Sequence, residues 1–412
     1  MTFNLILRDA TLVSSAGRQV ADVAIRDGRI AYVGPNPPRA AEQEISAIGM
    51  FLMPGVIDTA VQFDPAGNPS DWERESRAAV TGGVTSVISL PGGTHPVISR
   101  ATARARAKRA NGHSWCNYGL WGAANNGNAQ EISEAAREGL IVGTLAYLGQ
   151  QKGNLVIEPE RLETFMKTEG VLGVQIQDIN VEDEPDSPNG GCQEVEAVLS
   201  VARSHGRFIH LVHLSTAAEL QTLDPVHGDI PITTGVTPHH LFLSLDESKT
   251  IRTRPPVRPE QDRRTLWTAV KRGRLDCVAS DHHPTSNGNG ATGVPGTELL
   301  FPLMLSAVKY GRLSLELLVS LCSERPARIF GLEQKGRIER GADADLILFS
   351  EGEVARVTQK SLLSGAGWSP YCNREAAPKP EYVIVNGTIV ANRGKLIANK
   401  PTGKLITHVA QA

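Results

Sequence analysis

The chain has 412 residues, of which 41% are hydrophobic, and its formal net charge is −2. That length predicts a large domain with an accessory module rather than one small domain. The near-neutral charge argues against a nucleic-acid or anionic-membrane surface, which would need an excess of basic residues.

Other features of the composition favour a cytoplasmic location. No run of about 18 apolar residues is present, so we expect no membrane span. The amino terminus has no basic segment followed by an apolar one, so we expect no signal peptide. The 5 cysteines are scattered, which is typical neither of a disulfide framework nor of a zinc ribbon. We therefore predict a cytoplasmic protein with reduced thiols.

Both ends of the chain have the pattern of short β-strands. The first residues alternate between apolar and polar, and an Asp-Gly turn within residues 23–34 predicts a hairpin. Near the other end, residues 344–349 and 382–390 predict further strands. We therefore predict one small β-sandwich domain built from both chain ends, residues 1–53 and 336–412.

The middle of the chain, residues 54–335, repeats the order strand, turn, helix. Its predicted strands are apolar segments at 85–90, 117–122, 140–148, 174–177, 208–213, 230–234 and 276–280. This alternation predicts an α/β fold with a parallel (β/α)8 TIM-like barrel. In such barrels the chemistry lies at the C-terminal ends of the strands.

The stretch from Met53 to Phe63 predicts the first barrel strand, which the chain enters through a Pro-Gly corner. The run is short and apolar, so we expect the strand to be buried. Strand alternation predicts two faces, one with Asp58, Ala60 and Gln62 and the other with Ile57, Val61 and Phe63.

Later segments carry short motifs in collinear order. They are His210-Leu211-Val212-His213-Leu214-Ser215-Thr216, Thr237-Pro238-His239-His240-Leu241, Arg254-Pro255-Pro256-Val257-Arg258 and Ser280-Asp281-His282-His283-Pro284. With the Pro-Gly-Val-Ile-Asp of the first strand, they resemble the cyclic amidohydrolases, the group of dihydroorotase, allantoinase and hydantoinase. The resemblance covers nearly the whole chain and implies the same barrel with a composite sandwich domain.

The resemblance also implies a binuclear metal centre. In that family it is held by two histidines of the first strand, a carboxylated lysine, two further histidines and one aspartate. The metals make hydroxide available near neutral pH and polarise the scissile carbonyl. Most of these positions carry other side chains here: Ala60, Gln62, Thr144 or Leu145, and Gln177.

His213 and Asp281 are the two residues that still match the ligand pattern. Two ligands do not make a zinc site, so we predict that the protein has no metal cofactor. The alternative is a single, weakly held zinc. By resemblance, Asp281 would act as general acid or base with His213 as its partner. The alternative for each is structural: a carboxylate bonded to its neighbours and a core histidine.

Substrate contacts are predicted around this pair. The candidates are Gln62, Gln177, Asp64, His239 and His283, and the alternative for the two glutamines is cavity filling. Members of adjacent pairs such as His239 and His240 cannot both face the pocket. Asp64 stands where dihydroorotases have an arginine that grips the substrate carboxylate, which argues against dihydroorotate as the substrate.

Two functions remain open. The first is an enzyme that acts on a small cyclic amide, imide or ureide by metal-independent acid–base chemistry. The second is a noncatalytic, dihydroorotase-like subunit that scaffolds a partner enzyme such as aspartate carbamoyltransferase. An open polar pocket at the strand ends would favour the enzyme, and a plugged one would favour the scaffold. The resemblance further implies a homo-oligomer, either a dimer or a tetramer.

Overall fold

The computed structural model describes residues 2–148, 155–176, 191–226, 228–247, 250–285 and 292–407. The acidic, Pro-, Gly- and Ser-rich composition of residues 180–191 and the Asn-Gly-rich composition of residues 286–290 predict two loops. Except for Gly191, both lie outside this part of the chain. The strands are β1 (Phe3–Ser14), β2 (Gly17–Arg26), β3 (Arg29–Gly34), β4 (Ala41–Ser46), β5 (Phe51–Pro54), β6 (Val56–Val61), β7 (Val84–Ser89), β8 (Asn117–Ala123), β9 (Gly143–Leu148), β10 (Val171–Ile176), β11 (Ile209–Val212), β12 (Ile232–Val236), β13 (Cys277–Val278), β14 (Leu346–Phe349), β15 (Ala355–Arg356), β16 (Glu375–Ala376), β17 (Tyr382–Val385), β18 (Thr388–Asn392) and β19 (Lys395–Leu396).

The helices lie mainly between the strands of the central segment. They are α1 (Pro69–Thr81), α2 (Arg100–Ala110), α3 (Ala129–Arg137), α4 (Cys192–His205), α5 (Ala217–Leu223), α6 (Pro238–Phe242), α7 (Glu260–Lys271), α8 (Leu300–Lys309), α9 (Leu315–Val319) and α10 (Arg325–Ile329). Short 3-10 or π-helical segments occupy Pro159–Phe165, Asp224–Val226, Thr297–Leu299, Ser320–Glu324 and Gln359–Ser361. Of the described residues, no helix is long and apolar enough to cross a membrane.

The strands β6 to β13 form an 8-stranded parallel sheet in chain order. The sheet closes on itself through a parallel bridge between Val61 and His282. The main chain makes this closure directly, because the Gln62 amide donates to the His282 carbonyl at 2.8 Å and the His282 amide donates to the Ala60 carbonyl at 3.2 Å. The predicted (β/α)8 barrel is therefore confirmed.

The first barrel strand departs from the predicted alternation. Ile57 and Ala60 pack together in one core cluster, whereas Val61 and Phe63 belong to the layer between barrel and helices. The pairing register of β6 with β7 shifts before Ile57 and again after Asp58. Because one register shift exchanges the two faces of a strand, the prediction that Ile57 faces away from Ala60 is wrong.

A compact apolar group, called here the lumen cluster, fills the barrel. Its members are Ile57, Ala60, Ile88, Leu90, Trp121, Val142, Leu145, Tyr147, Val171, Val212, Cys277, Ala279, Ala327, Ile329, Phe330, Leu332 and Ile406. The Trp121 ring needs the space left by two glycines, since a Cβ on Gly143 or Gly173 would lie 2.8 or 2.7 Å from it. Trp121 Nε1 donates to the Thr59 carbonyl at 3.0 Å, so its polar atom is satisfied.

Both chain ends meet in one 9-stranded sheet, in which β14 and β17 to β19 continue from β5 and β1. This confirms the predicted small β domain built from the two termini. A buried polar group joins it to the barrel. The Asp345 carboxylate accepts hydrogen bonds from Asn117 at 2.9 Å, from Lys335 at 2.5 Å and from the Asn386 amide at 2.8 Å.

Candidate active site

His213 and Asp281 lie at the C-terminal ends of two barrel strands, which β12 separates. His213 directly follows β11, and its Nδ1 lies 3.9 Å from Oδ1 of Asp281. Both residues adopt the left-handed backbone conformation, with φ of 61° and 49°. This conformation is uncommon for residues other than glycine and is concentrated at functional sites. The structure thus brings the two catalytic candidates together in a strained arrangement.

The imidazoles of His213 and His239 are completely buried and have unused hydrogen-bonding capacity. Among the described residues, neither ring nitrogen of either histidine has a hydrogen-bond partner. Burial lowers the pKa of His213 although the charge of Asp281 opposes it, and burial lowers the pKa of His239 well below its ordinary value. Both rings are therefore neutral near neutral pH, each with one donor and one acceptor available.

His283 completes this group from the edge of the site. Its Nδ1 lies 3.7 Å from Oδ1 of Asp281, and its side chain remains 30% exposed. The neighbouring His282 turns away, because its Nε2 lies 3.2 Å from Glu75 and its Nδ1 accepts from the Gly296 amide at 3.2 Å. One member of this adjacent pair therefore faces the site.

The pair His239 and His240 is arranged in the same way. The His240 ring lies within hydrogen-bond distance of the Thr237 hydroxyl, at 2.8 Å, and of the Pro256 carbonyl, at 3.1 Å. His240 therefore has a structural role, and His239 is the member of the pair whose ring nitrogens have no partner in the described part of the chain.

Of the two glutamines predicted to contact substrate, the structure describes Gln62 but not Gln177. Gln62 is buried, and its Nε2 donates to the Gly92 carbonyl at 3.3 Å, which leaves its Oε1 for another partner. Gln177 lies outside the described residues. Gln175, which sequence reasoning missed, is buried near the end of β10, and its Nε2 donates to the Arg254 carbonyl at 3.2 Å. Gln175 lies two residues before the predicted Gln177 and so on the same face of a regular strand, and this spacing could have indicated it.

Asp64 is fully buried in a pair of ionic contacts. Its carboxylate accepts from Arg109 Nε at 3.0 Å and lies 3.6 Å from Nε of Arg106, whose side chain has no exposed surface. Arg106 also donates to the carbonyls of Leu90, at 2.7 Å, and Gly92, at 2.6 Å. This geometry favours a structural role for Asp64, because its charge is neutralised by α2 rather than directed at a ligand.

The comparison with known proteins decides the family. A model described as the Amidohydrolase family matches residues 51–390. The chain belongs to the amidohydrolase family. It is 28% identical to a dihydroorotase from Pyrococcus furiosus, with 93% of this chain and 92% of the relative covered. It is also 28% identical to an allantoinase from Bacillus velezensis, with 88% of each chain covered.

Other relatives extend this similarity to hydantoinases. The chain is 27% identical to an L-hydantoinase from Paenarthrobacter aurescens, with 98% of each chain covered. The solved structure of an L-hydantoinase (dihydropyrimidinase) from Arthrobacter aurescens superposes with a TM-score of 0.93 at 24% identity, covering 99% of this chain and 100% of that one. That similarity shows a common fold. The relatives of this amidohydrolase are thus of the dihydroorotase, allantoinase and hydantoinase type.

The side chains of this amidohydrolase do not fit the binuclear metal centre implied by the family. Ala60 and Leu145 belong to the apolar lumen cluster and offer no ligand atoms, and the side-chain amide of Gln62 is a poor ligand for zinc. Across the part of the chain that is described, no three His, Cys, Asp or Glu side chains are arranged to hold a metal ion. A stable zinc site needs about four ligands, so no chemical step is assigned to a metal here.

Proposed function

We propose that this amidohydrolase acts on a small cyclic amide, imide or ureide by acid–base chemistry without a bound metal. The observation that carries the proposal is that all four ring nitrogens of His213 and His239 lack a hydrogen-bond partner among the described residues, with the Asp281 carboxylate 3.9 Å from His213. Buried polar atoms are rarely left without partners, so these nitrogens are suited to a polar ligand. The names of the relatives support a cyclic amide as that ligand.

The chemistry of such rings matches the neutral imidazoles. An imide or ureide ring presents carbonyl acceptors next to N–H donors. A neutral imidazole offers one N–H donor and one acceptor nitrogen. His213 and His239 together can therefore form hydrogen bonds with both the carbonyl and the N–H groups of the ring. A polar lumen end of this kind supports the enzyme over the scaffold, which has no need of unpaired buried nitrogens.

Hydrolysis can then proceed with every proton accounted for. The Asp281 carboxylate takes a proton from water as the water oxygen bonds to the ring carbonyl carbon. As the carbon–nitrogen bond breaks, Nε2–H of the neutral His213 gives its proton to the ring nitrogen, and Nδ1 of the same ring takes the proton from Asp281, 3.9 Å away, in the same step, so that no imidazolate forms. The product is the ring-opened acid. Asp281 is again a carboxylate, and His213 is again a neutral imidazole, with its proton now on Nδ1.

The described residues contain no metal-ligating set, which restricts the proposed substrates. Without a Lewis acid to polarise the carbonyl, an ordinary lactam would be opened slowly. Imides and ureides have better leaving groups because their nitrogen is flanked by carbonyl groups. We therefore place the substrate among these activated rings.

A panel of hydantoin, allantoin and succinimide tests the proposal, with mass spectrometry of the ring-opened products. We expect turnover of at least one ring by the wild-type protein and its loss in Asp281→Asn. No turnover of any ring, together with co-purification of an added aspartate carbamoyltransferase, would support the scaffold instead. The predicted homo-oligomer stays a prediction, which light scattering of the purified protein would check.

A further inference from the structure

A cleft of about 420 Å³ lies among the helices that surround the barrel. Its walls come from α6, α7 and α8 and from the short strand β16 with the residues that precede it. The described walls contain no member of the lumen cluster and none of the active-site residues. Volumes of roughly 300–1,000 Å³ are typical of sites for small molecules, so this cleft is large enough to hold one.

Four charged side chains of the cleft form two ion pairs. The Glu260 carboxylate accepts hydrogen bonds from Arg263, from Nε at 2.6 Å and from Nη2 at 2.5 Å. The hydrogen bonds from Arg263 help to lower the pKa of Glu260 to about 2. Nη2 of Arg374 donates to the Glu247 carboxylate at 2.7 Å. These four charges neutralise one another and need no ligand.

Arg312 is a cation of the cleft without such a partner. Among the described residues, no carboxylate forms an ion pair with its guanidinium, and no acceptor receives a hydrogen bond from it. The guanidinium carbon lies 5.3 Å from the centroid of the Trp267 ring. Stacking on an aromatic face fixes the planar group and leaves the N–H donors at its edge available. Because a guanidinium is always charged in proteins, these donors are suited to an anionic group.

Glu375 is the complementary case, a carboxylate of the cleft without a cationic partner. It accepts a hydrogen bond from the hydroxyl of Tyr310, which is uncharged. That hydrogen bond raises the pKa of the Tyr310 phenol, so Tyr310 keeps its proton and remains a neutral donor. Within the described ranges, no Lys, Arg or His forms an ion pair with Glu375. Its carboxylate is therefore suited to a positively charged group.

Arg312 and Glu375 thus give the same cleft one unbalanced charge of each sign. A ligand that balances both must carry one negative and one positive group. A carboxylate carries a single charge and matches a guanidinium with two parallel hydrogen bonds, whereas a phosphate carries about −1.5 to −2 and would leave an excess of negative charge. We propose that this cleft is a second binding site, whose ligand is a small zwitterion with one carboxylate and one ammonium group, such as an amino acid.

This site is independent of the proposed function. Its residues take no part in the proton transfers assigned to His213 and Asp281. The two sites share only the short helix α6, which carries His239 at the active site and Phe242 in the wall of the cleft. Binding in the cleft can therefore be measured whether or not the protein opens a ring.

Isothermal titration calorimetry of the wild-type protein provides the first test. The probes are glycine, β-alanine, γ-aminobutyrate and 5-aminopentanoate, which separate the same two charged groups by increasing distances. We expect at least one of them to bind with a Kd of about 1 mM or lower. Acetate and propylamine carry one charge each, and we expect them to bind about 10-fold more weakly or worse, because one charge-assisted contact is lost.

Two variants test whether the named side chains hold the probe. Arg312→Gln removes the positive charge, and Glu375→Gln removes the negative charge while keeping an acceptor for Tyr310. Each should weaken binding of the best probe about 10-fold or more. Arg340→Gln, at an exposed position outside the cleft, should stay within about 2-fold of the wild type. Thermal unfolding verifies that the variants are folded.

Three results would overturn the proposal. The first is the absence of binding by all four probes at about 10 mM. The second is equal affinity for acetate or propylamine, which would show that a single charge is sufficient. The third is wild-type affinity in either Arg312→Gln or Glu375→Gln, which would show that the ligand does not bridge the two side chains.

Discussion

The imidazole of His213 faces the carboxylate of Asp281 with 3.9 Å between Nδ1 and Oδ1, and both residues have positive φ. A non-glycine residue whose backbone is held in the left-handed conformation loses roughly 1–2 kcal/mol of stability. The surrounding structure must therefore impose that conformation. Here the imposing elements are the strand ends of a closed barrel. The pair is therefore fixed in position before any ligand binds, which suits proton transfer between the two groups.

The first prediction is that His213 and Asp281 act as one unit. We expect His213→Asn and Asp281→Asn each to lower kcat/KM for the opened ring by about 100-fold or more. The double variant should lose no more than the worse single variant, because residues that share one proton-transfer step are not additive. His205→Asn, at an exposed position at the end of α4, is the control. Additive losses would show that the two side chains act independently.

The second prediction concerns metal content. Elemental analysis of protein purified without chelators should find less than about a tenth of an equivalent of zinc, since a stable site needs about four ligands. About one equivalent of zinc that disappears in Asp281→Asn would contradict the metal-free proposal. The alternative of one weakly held zinc would then apply, and the chemistry would have to be reassigned.

Much of the fold could be predicted because local sequence patterns determine its strands and helices. Apolar, β-branched segments alternate with helical ones, and the motifs around His213 and Asp281 mark two strand ends directly. The irregular β6 could not be predicted, because register shifts depend on the neighbouring strand β7. A strand pattern read alone assumes an unbroken period of two, and that assumption placed Ile57 on the wrong face.

The contacts of the site residues were less predictable than the fold, because the residues that contact each other are distant in sequence. Asp64 is neutralised by Arg109, which lies 45 residues further along the chain on α2. The expectation that Asp64 contacts substrate considered its charge without this partner. Gln175 was missed for a related reason, since its amide contacts the Arg254 carbonyl, which lies 79 residues further along the chain.

The third prediction concerns acid stability. Burial lowers the pKa of His210 and of His240 to about 3, whereas histidines in an unfolded chain titrate near 6.5. Between these values the unfolded chain binds more protons than the folded one, so the free energy of unfolding falls as the pH falls from about 6.5 towards 3. Each histidine should lower it by about 2 kcal/mol at about pH 5 relative to neutral pH.

Urea unfolding followed by tryptophan fluorescence at about pH 7.5 and about pH 5 measures this difference. In His210→Gln the loss of stability between the two pH values should be smaller than in the wild type, because one titrating group is gone. An unchanged difference would mean that His210 is not held neutral in the folded state.

The fourth prediction concerns the buried carboxylate of Glu75. Burial acts to raise its pKa, but the nearby His282, Ser364 and Arg74 outweigh burial and lower the pKa to about 2. Its stabilising contribution is therefore complete above about pH 4.5 and is lost as the pH falls towards 2. Glu75→Gln should lower the free energy of unfolding by about 3 kcal/mol at neutral pH, as expected for breaking a buried ionic contact. Glu73→Gln, an exposed position on the same helix, should change it by less than about 0.5 kcal/mol.

The fifth prediction separates the two roles of Asp64. If Asp64 serves the structure, Asp64→Asn leaves the buried guanidinium of Arg106 without its counter-charge, and the free energy of unfolding should fall by about 3 kcal/mol. The exposed Asp229→Asn, as control, should stay within about 0.5 kcal/mol of the wild type. A substrate-binding Asp64 predicts the opposite pattern, with unchanged stability and a raised KM. Because Arg106 also holds the carbonyls of Leu90 and Gly92, we expect the structural outcome, with any effect on KM secondary to the loss of stability.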